Sequence, residues 1–387
     1  MLDLIRFTPG GISRIELAKQ LDLTRSAISG IIDDLLTAEL VCEMNEKNSE
    51  TRRSIGLEIN PERGKVVGID MGATHVNLIL ADFAAQVVRE MEFPFDIIKG
   101  PKVCLEQVDK NLKTLLEEAG INKSDIYSIG VGVPGPIVSE AGIVSAPPIM
   151  PGWDTYPIRK ELSERWGIPV SLNNDAELGA LGEWAYGAGR GEHNLVYVKV
   201  GTGVGAGLLI NGQIYRGSTG SAGEIGHITI DENGPLCSCG NRGCLEAFTG
   251  GKAIARKAVD AVRRGQRTVL ENIKPIESIS AQDVIAAARR GDLVSQQIFI
   301  EAGSHLGTAI ASLVNLFNPG IVVVGGGVAQ IGDLLLDPIR HTVSQRSLLV
   351  ASRAVRISAA LLGRRSSGMG AVVQANSMII HKLAEQT

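Results

Sequence analysis

The chain has 387 residues, 44% of them hydrophobic and 21% charged, enough for two or three domains with cores of their own. A net charge of -4 argues against a uniformly basic nucleic-acid coat but leaves room for a local DNA-reading patch. The opening MLDLIRFTPGG has none of the parts of a secretory signal, no apolar run reaches the roughly 18 residues of a membrane span, and five cysteines are an odd number, so a cytoplasmic protein with free thiols or a metal site is expected rather than a disulfide framework.

The first sixty residues read as a winged helix-turn-helix. Met1 to Phe7 forms a short leading helix, and Ile15, Leu17, Ala18 and Leu21 give a second helix its apolar face. Asp22, Leu23 and Thr24 make the turn, with Thr24 as N-cap. Ala27, Ile28, Ile31, Ile32, Leu35 and Leu36 then recur at helical spacing, leaving Arg25, Ser26 and Ser29 on the outward face near the helix start, where a recognition helix presents side chains to base edges. Two short strands, Val41 to Met44 and Ser54 to Ile59, form a wing with Arg52 and Arg53 beside its tip, placed for phosphate or minor-groove contact. The alternative is a helical hairpin used for packing or dimerisation, which the seven Lys/Arg against ten Asp/Glu of residues 1–60 (a net of -3) would suit. The order of helix, turn, helix and wing, with arginines at the reading edge, favours DNA.

From Gly64 the pattern changes to strands and glycine turns. KVVGIDMGATHVNLILAD gives strand, turn, strand, followed by the strand VVREMEFPF, the amphipathic helix VCLEQVDKNLKTLLEEAG and the strand IYSIGVGVPGPI. HNLVYVKVGTGVGAGLLINGQIYRGSTG repeats the theme, and GIVVVGGGVAQIG adds a buried strand ending in glycines. A unit used twice predicts a duplicated α/β domain closing around a cleft. Each glycine turn has a phosphate reading. Asp70, Gly72 and Thr74 offer a turn with Asp70 near a magnesium ion; Gly201, Thr202, Gly203, Val204 and Gly205 offer another; Gly325, Gly326, Gly327 and Val328 let a base or ribose approach the backbone.

Three of the five cysteines fall in one stretch, HITIDENGPLCSCGNRGCLEAF, which begins at His227. With the helix-turn-helix, the duplicated domain and its glycine turns, this stretch resembles the ROK family (repressors, open reading frames and sugar kinases) over nearly the whole chain. His227, Cys237, Cys239, Cys244 and the residues between them match the family's zinc signature. The resemblance implies an actin-like (ribonuclease H-like, hexokinase-type) two-lobed domain behind the winged helix-turn-helix. It divides the chain into a DNA-binding domain over 1–60, a first lobe over 61–180 completed by a C-terminal helix over 368–387, and a second lobe over 181–367 carrying the zinc site and dimer surface. Three thiolates and an imidazole make a closed, structural zinc set.

By the same resemblance Glu224, His227 and Glu246 hydrogen-bond sugar hydroxyls, His227 using one ring nitrogen for zinc and the other for the sugar. Asn174 binds hydroxyls, Asp175 is the base that takes the proton from an attacking hydroxyl, and Gly132 to Gly135 line the sugar site. Asp175 is also read as a helix N-cap, since Ala176 to Trp184 is helical in pattern. Ala73, His75 and Pro148 depart from the glycine, asparagine and asparagine of the family's kinases. The implied function is a sugar-responsive repressor with operator DNA and a sugar effector as partners, assembled as a homodimer or homotetramer. The alternative is an ATP-dependent sugar kinase, using Mg2+ and ATP, with a regulatory DNA-binding domain.

Overall fold

The computed structural model of the chain describes residues 1–44, 56–138, 140–145, 147 and 149–384; Arg52, Arg53, Ser54 and Pro148 lie outside the described residues. The N-terminal unit comprises α1 (Leu2–Phe7), β1 (Ile12–Ser13), α2 (Arg14–Leu21), α3 (Arg25–Thr37), β2 (Val41–Glu43) and β3 (Gly56–Ile59). Ser13 and Glu16 start α2 with a reciprocal capping box, and Asp22 ends it in the left-handed conformation. Thr24 accepts a hydrogen bond from the Ala27 amide at 3.3 Å and opens α3. The strands form an antiparallel sheet in the order β1-β3-β2. Leu17, Ala18, Ile28, Ile32 and Leu35 are buried, whereas Ile15, Ala27 and Ile31, expected on apolar faces, are exposed.

Two five-stranded sheets follow. The first holds β4 (Lys65–Met71), β5 (His75–Asp82), β6 (Val87–Pro94), β7 (Ile126–Val133) and, after the two-residue strands β8 (Ile137–Val138) and β9 (Ile143–Val144), β10 (Val170–Asn174). Helices α4 (Pro101–Ala119) and α5 (Ile158–Trp166) belong to the same lobe, and α6 (Asp175–Tyr186) leaves it. The second sheet is built from β11 (Leu195–Val200), β12 (Val204–Ile210), β13 (Gln213–Ile214), β14 (Ile321–Gly325) and β15 (Arg356–Ala359). Its helices are α7 (Glu246–Thr249), α8 (Gly251–Arg263), α9 (Ala281–Arg289), α10 (Leu293–Phe317), α11 (Asp333–Arg346) and α12 (Leu349–Ala354), and α13 (Ser366–Ala384) follows β15.

The two sheets share one topology. In each, three strands meander antiparallel, the fourth lies parallel to the first, and the fifth lies parallel to the fourth. The central parallel strands β7 and β14 are buried on both faces, which is why Ile126–Val133 and Ile321–Gly325 read as near-continuous apolar runs. Each lobe has its own apolar core, one built around Trp153 and the α4 leucines, the other around α10 and β11.

Two helices exchange sides. Helix α6 starts at the last strand of the first sheet yet packs on β11 and β12, while α13 follows the last strand of the second sheet and packs on β4, β5 and β7. The pair also pack closely against each other: a side chain at Gly182 would strike the Ser366 carbonyl, and one at Gly370 the Leu178 carbonyl. A domain boundary at 180/181 therefore falls inside α6. Glu183, fully buried, secures the crossing by accepting hydrogen bonds from the amides of Ala188, Leu361 and Leu362 and from the Ser366 hydroxyl.

The N-terminal unit sits on these exchanged helices. Arg6 donates to the Ser377 hydroxyl at 2.7 Å and the Val373 carbonyl at 2.9 Å, and Phe7 meets the edge of Trp184 with ring centroids 4.9 Å apart. Its core is continuous with Val372, Ala375, Ile379 and Ile380 of α13.

Candidate functional site

Between the lobes lies a cavity of about 210 Å³ lined by the first lobe's Ala73, Pro134, Gly135, Asn174 and Asp175 and the second lobe's Lys199, Gly201 to Gly205, Glu224, His227 and Glu246. Its floor is the β10–α6 junction. Asn174 caps α6, its side-chain oxygen accepting from the Ala176 amide at 2.8 Å and the Glu177 amide at 3.2 Å, while its amide nitrogen donates to the Gly135 carbonyl at 3.0 Å. The cap expected at Asp175 is thus one residue earlier. A helix needs its cap in extended backbone geometry, and Asn174 has it (φ -68°, ψ 142°). Asp175, the first helical residue, is left free to aim its carboxylate into the cleft, where the Lys199 ammonium donates to it at 2.9 Å.

Glu224 and Glu246 place two carboxylates on the far wall. Burial, followed by the negative charges of Asp175, Glu246 and Glu177, pushes the Glu224 carboxyl up to about 7. Glu246 is fixed at both oxygens: one accepts from the Val204 amide at 3.0 Å, the other from the Ser238 hydroxyl at 3.2 Å. Glu177, buried behind them, pairs with Arg216 at 3.2 Å. Hydrogen-bond acceptors outnumber donors on this wall, which suits a neutral ligand rich in hydroxyl groups better than an anion.

The four residues of the His-Cys stretch converge beside this wall, their ligand atoms all within 4.8 Å of one another. The Cys237 sulfur is 3.6 Å from His227 Nδ1, and the Cys239 and Cys244 sulfurs are 3.7 Å apart. Tetrahedral bonds of about 2.3 Å to sulfur and 2.0 Å to nitrogen require edges of about 3.8 Å between sulfurs and about 3.5 Å from sulfur to nitrogen, each within about 0.1 Å of these distances, so the cluster has the dimensions of a metal site. With Nδ1 turned to the cysteines and His227 lining the cleft, this one residue belongs to both sites.

A second cavity of about 660 Å³ opens next to the first, lined among others by Thr74, His75, Gly201, Thr202, Gly251, Lys252, Gln282, Gly327 and Arg364. Of the residues read as phosphate-cradling, Thr74, Gly201 and Thr202 border it, while Gly203 borders the first cavity. Gly72 shapes the β4–β5 turn through its amide, 3.0 Å from the His75 carbonyl, and Asp70 is buried at the end of β4. Gly325 and Gly326 pack instead against Tyr197 and the Val200 backbone, and it is Gly327 that reaches the second cavity. Gly132 likewise packs beneath α6 against Leu178, whereas Gly135 lines the cleft.

In the N-terminal unit Arg25 and Ser26 are exposed and Ser29 is half-buried, all in the first two turns of α3. Sequence reading missed Lys199, although it is the lone charge in the strand LVYVKV, shares the Leu195 and Tyr197 face and so points towards α6 rather than to solvent. A charge inside an otherwise apolar strand was the available signal.

Comparison with known proteins agrees with this geometry. Residues 66–377 match the ROK family. The chain is 34% identical over 362 residues to a putative xylose repressor of Caldicellulosiruptor sp. (strain Rt8B.4), covering 93% of this chain and 90% of that one. It superposes with a TM-score of 0.81 on the crystal structure of a ROK family transcriptional regulator, a homologue of the E. coli MLC protein, at 28% identity with 99% and 97% of the two chains covered. Its two lobes superpose with a TM-score of 0.73 on a ROK family glucokinase from Streptomyces griseus in complex with glucose and AMPPNP, at 29% identity, covering 81% of this chain and all of that one. Among the described residues no helix is long and apolar enough to cross a membrane. With the family matched over residues 66–377 and a relative 34% identical over nearly the whole of both chains, the chain belongs to the ROK family.

Proposed function

We propose that the protein is a sugar-responsive, DNA-binding transcriptional repressor. One observation carries the reading: the N-terminal unit is fastened to α6 and α13, and α6 begins at the cleft with Asn174 and Asp175. A change of lobe angle on ligand binding is thereby transmitted to the N-terminal unit through two rigid elements. Likeness to a putative xylose repressor over 93% of the chain supports the same conclusion and makes xylose the first sugar to test.

In this reading residues 1–60 are a winged helix-turn-helix in which α3 enters the major groove, with Arg25, Ser26 and Ser29 near base edges and Arg52 and Arg53 on phosphate. The cleft binds a neutral sugar through Asn174, Asp175, Glu224, His227 and Glu246. The His-Cys cluster holds a structural zinc ion, for which three soft thiolates and one imidazole are the fitting donor set. That ion would orient His227 and hold the 237–246 loop, while the sugar contacts come from the protein's own side chains. A homodimer fits both a palindromic operator and the exposed apolar surface at Leu316, Leu348, Leu349 and Val350.

The test is capture of fragmented DNA from the source genome by the purified full chain, followed by elution with single sugars. The reading expects one or a few intergenic fragments, released by one sugar and not by its epimers. Retention of fragments without sequence preference, or no retention by a folded protein, contradicts it.

A further inference from the structure

At the back of the cleft a lysine sits between two carboxylates. Asp70 comes from β4 of the first sheet, Asp175 from the start of α6, and Lys199 reaches them from β11 of the second sheet. The Lys199 ammonium lies 2.9 Å from an Asp175 oxygen, 3.4 Å from each Asp70 oxygen and 3.1 Å from the Ser367 hydroxyl. Ser367 gives its own proton to the Asp175 carbonyl at 2.8 Å, so its oxygen is free to accept from the lysine. An ammonium has three N–H donors, and three groups surround this one. Burial would lower the Lys199 pKa, but the charges of Asp175 and Asp70 outweigh it and hold it above the usual lysine range, so the cation is permanent at any physiological pH.

Phosphoryl transfer to a sugar asks for two things here: a divalent ion held by carboxylate oxygen, and a carboxylate free to accept the hydroxyl proton. The residues present do not fit the ion. A magnesium ion beside Asp70 and Asp175 would share the space with an ammonium already within hydrogen-bond reach of both, and the pair's two negative charges are already half neutralised. The Asp175 oxygen that faces Lys199 is likewise committed to a charge-assisted hydrogen bond and is not open to a ligand hydroxyl. We propose that Lys199 is a built-in counter-cation occupying the divalent-ion position between Asp70 and Asp175, which makes this cleft a receptor that holds a sugar without phosphorylating it. The inference rests on the sugar-cleft reading above and specifies the chemistry of that site: ligand binding independent of Mg2+ and ATP. It also gives Lys199 a positioning role, because its stem belongs to one lobe and its partners to the other.

The test is a Mn2+ titration of the full chain, with free Mn2+ followed by electron paramagnetic resonance. Manganese is a hard ion and leaves the thiolate cluster aside. Wild type and Asp70→Asn are expected to bind Mn2+ alike, whereas Lys199→Thr gains a site, lost again in Lys199→Thr/Asp70→Asn, that is roughly tenfold or more tighter than any wild-type binding. Lys199→Met serves equally if the threonine variant does not fold. A wild-type Mn2+ site removed by Asp70→Asn overturns the proposal without any lysine variant. So does sugar-dependent ADP release by wild type that Asp175→Asn abolishes, and so does failure of the folded Lys199 variants to gain the site. Melting temperatures of wild type with a panel of hexoses, pentoses and N-acetylhexosamines, run without metal, test the sugar reading separately: no shift with any sugar removes that reading while the Mn2+ result still decides the identity of the cation.

Discussion

Asn174 offers a substitution whose consequences divide cleanly between stability and binding. Its side chain makes three hydrogen bonds, two as acceptor from the first amides of α6 and one as donor to the Gly135 carbonyl. Asn174→Ala removes all of them, at about 1 kcal/mol for the cap and about 1 kcal/mol for the tether, or about 2 kcal/mol together. Asn174→Asp keeps the acceptor at a helix N-terminus, where negative charge is favourable, but cannot donate to Gly135. It should lose only about 1 kcal/mol of stability. Chemical unfolding followed by the fluorescence of Trp153, Trp166 and Trp184 should therefore rank wild type above aspartate above alanine, whereas calorimetric sugar titration should show both variants impaired, because both release the Gly135 loop and lose the amide. If aspartate proved as destabilising as alanine, the capping account would be wrong. Sugar affinity intact in both variants would remove Asn174 from the site.

Cys237→Ser should weaken sugar binding roughly 10- to 100-fold as well as lowering the melting temperature, since His227 links cluster and cleft; normal sugar affinity in a zinc-free protein would break that link. Glu224, with its carboxyl near 7, should make sugar affinity rise between about pH 6 and 8, because ligand hydroxyls donate to the ionised form, and Glu224→Gln should flatten the profile. The stability sign is opposite. The folded pKa lies above the unfolded value, so the unfolded chain loses its proton first and stability falls as pH rises from about 4.5 to 7, as pH-dependent unfolding of wild type against Glu224→Gln would reveal. Phe7→Ala, at the Trp184 contact, should leave sugar affinity within about twofold while reducing the effect of sugar on DNA binding, because coupling runs through a physical contact and not through either site.

Much of this architecture is written in local pattern. The strand-turn-strand units, the amphipathic α4 and the capped α2 and α3 all follow from periodicity and turn chemistry within twenty residues of chain. The His-Cys cluster was legible for the same reason, three of its four ligands lying within eight residues. What local pattern does not encode is who meets whom across the fold. Lys199 finds Asp70 and Ser367 at separations of 129 and 168 residues, and nothing near it announces either partner. Gly132, Gly325 and Gly326 read as ligand-approach glycines, yet a side chain or backbone from a distant element takes that space. Asp175 and Asn174 are adjacent, and a one-residue difference in where the backbone turns helical decided which caps α6 and which meets Lys199. The exposure of Ile15 and Ile31 reflects a small domain whose core holds only one side of each helix.

The central claim is that sugar in the cleft and DNA on the N-terminal unit are thermodynamically coupled. The most direct measurement is the affinity of the full chain for a labelled duplex carrying the captured fragment, by fluorescence anisotropy at fixed salt, with and without saturating sugar. Coupling predicts that sugar weakens DNA binding by roughly tenfold or more, and that DNA weakens sugar binding by the same factor. A sugar that raises the melting temperature yet leaves the DNA affinity unchanged would contradict it.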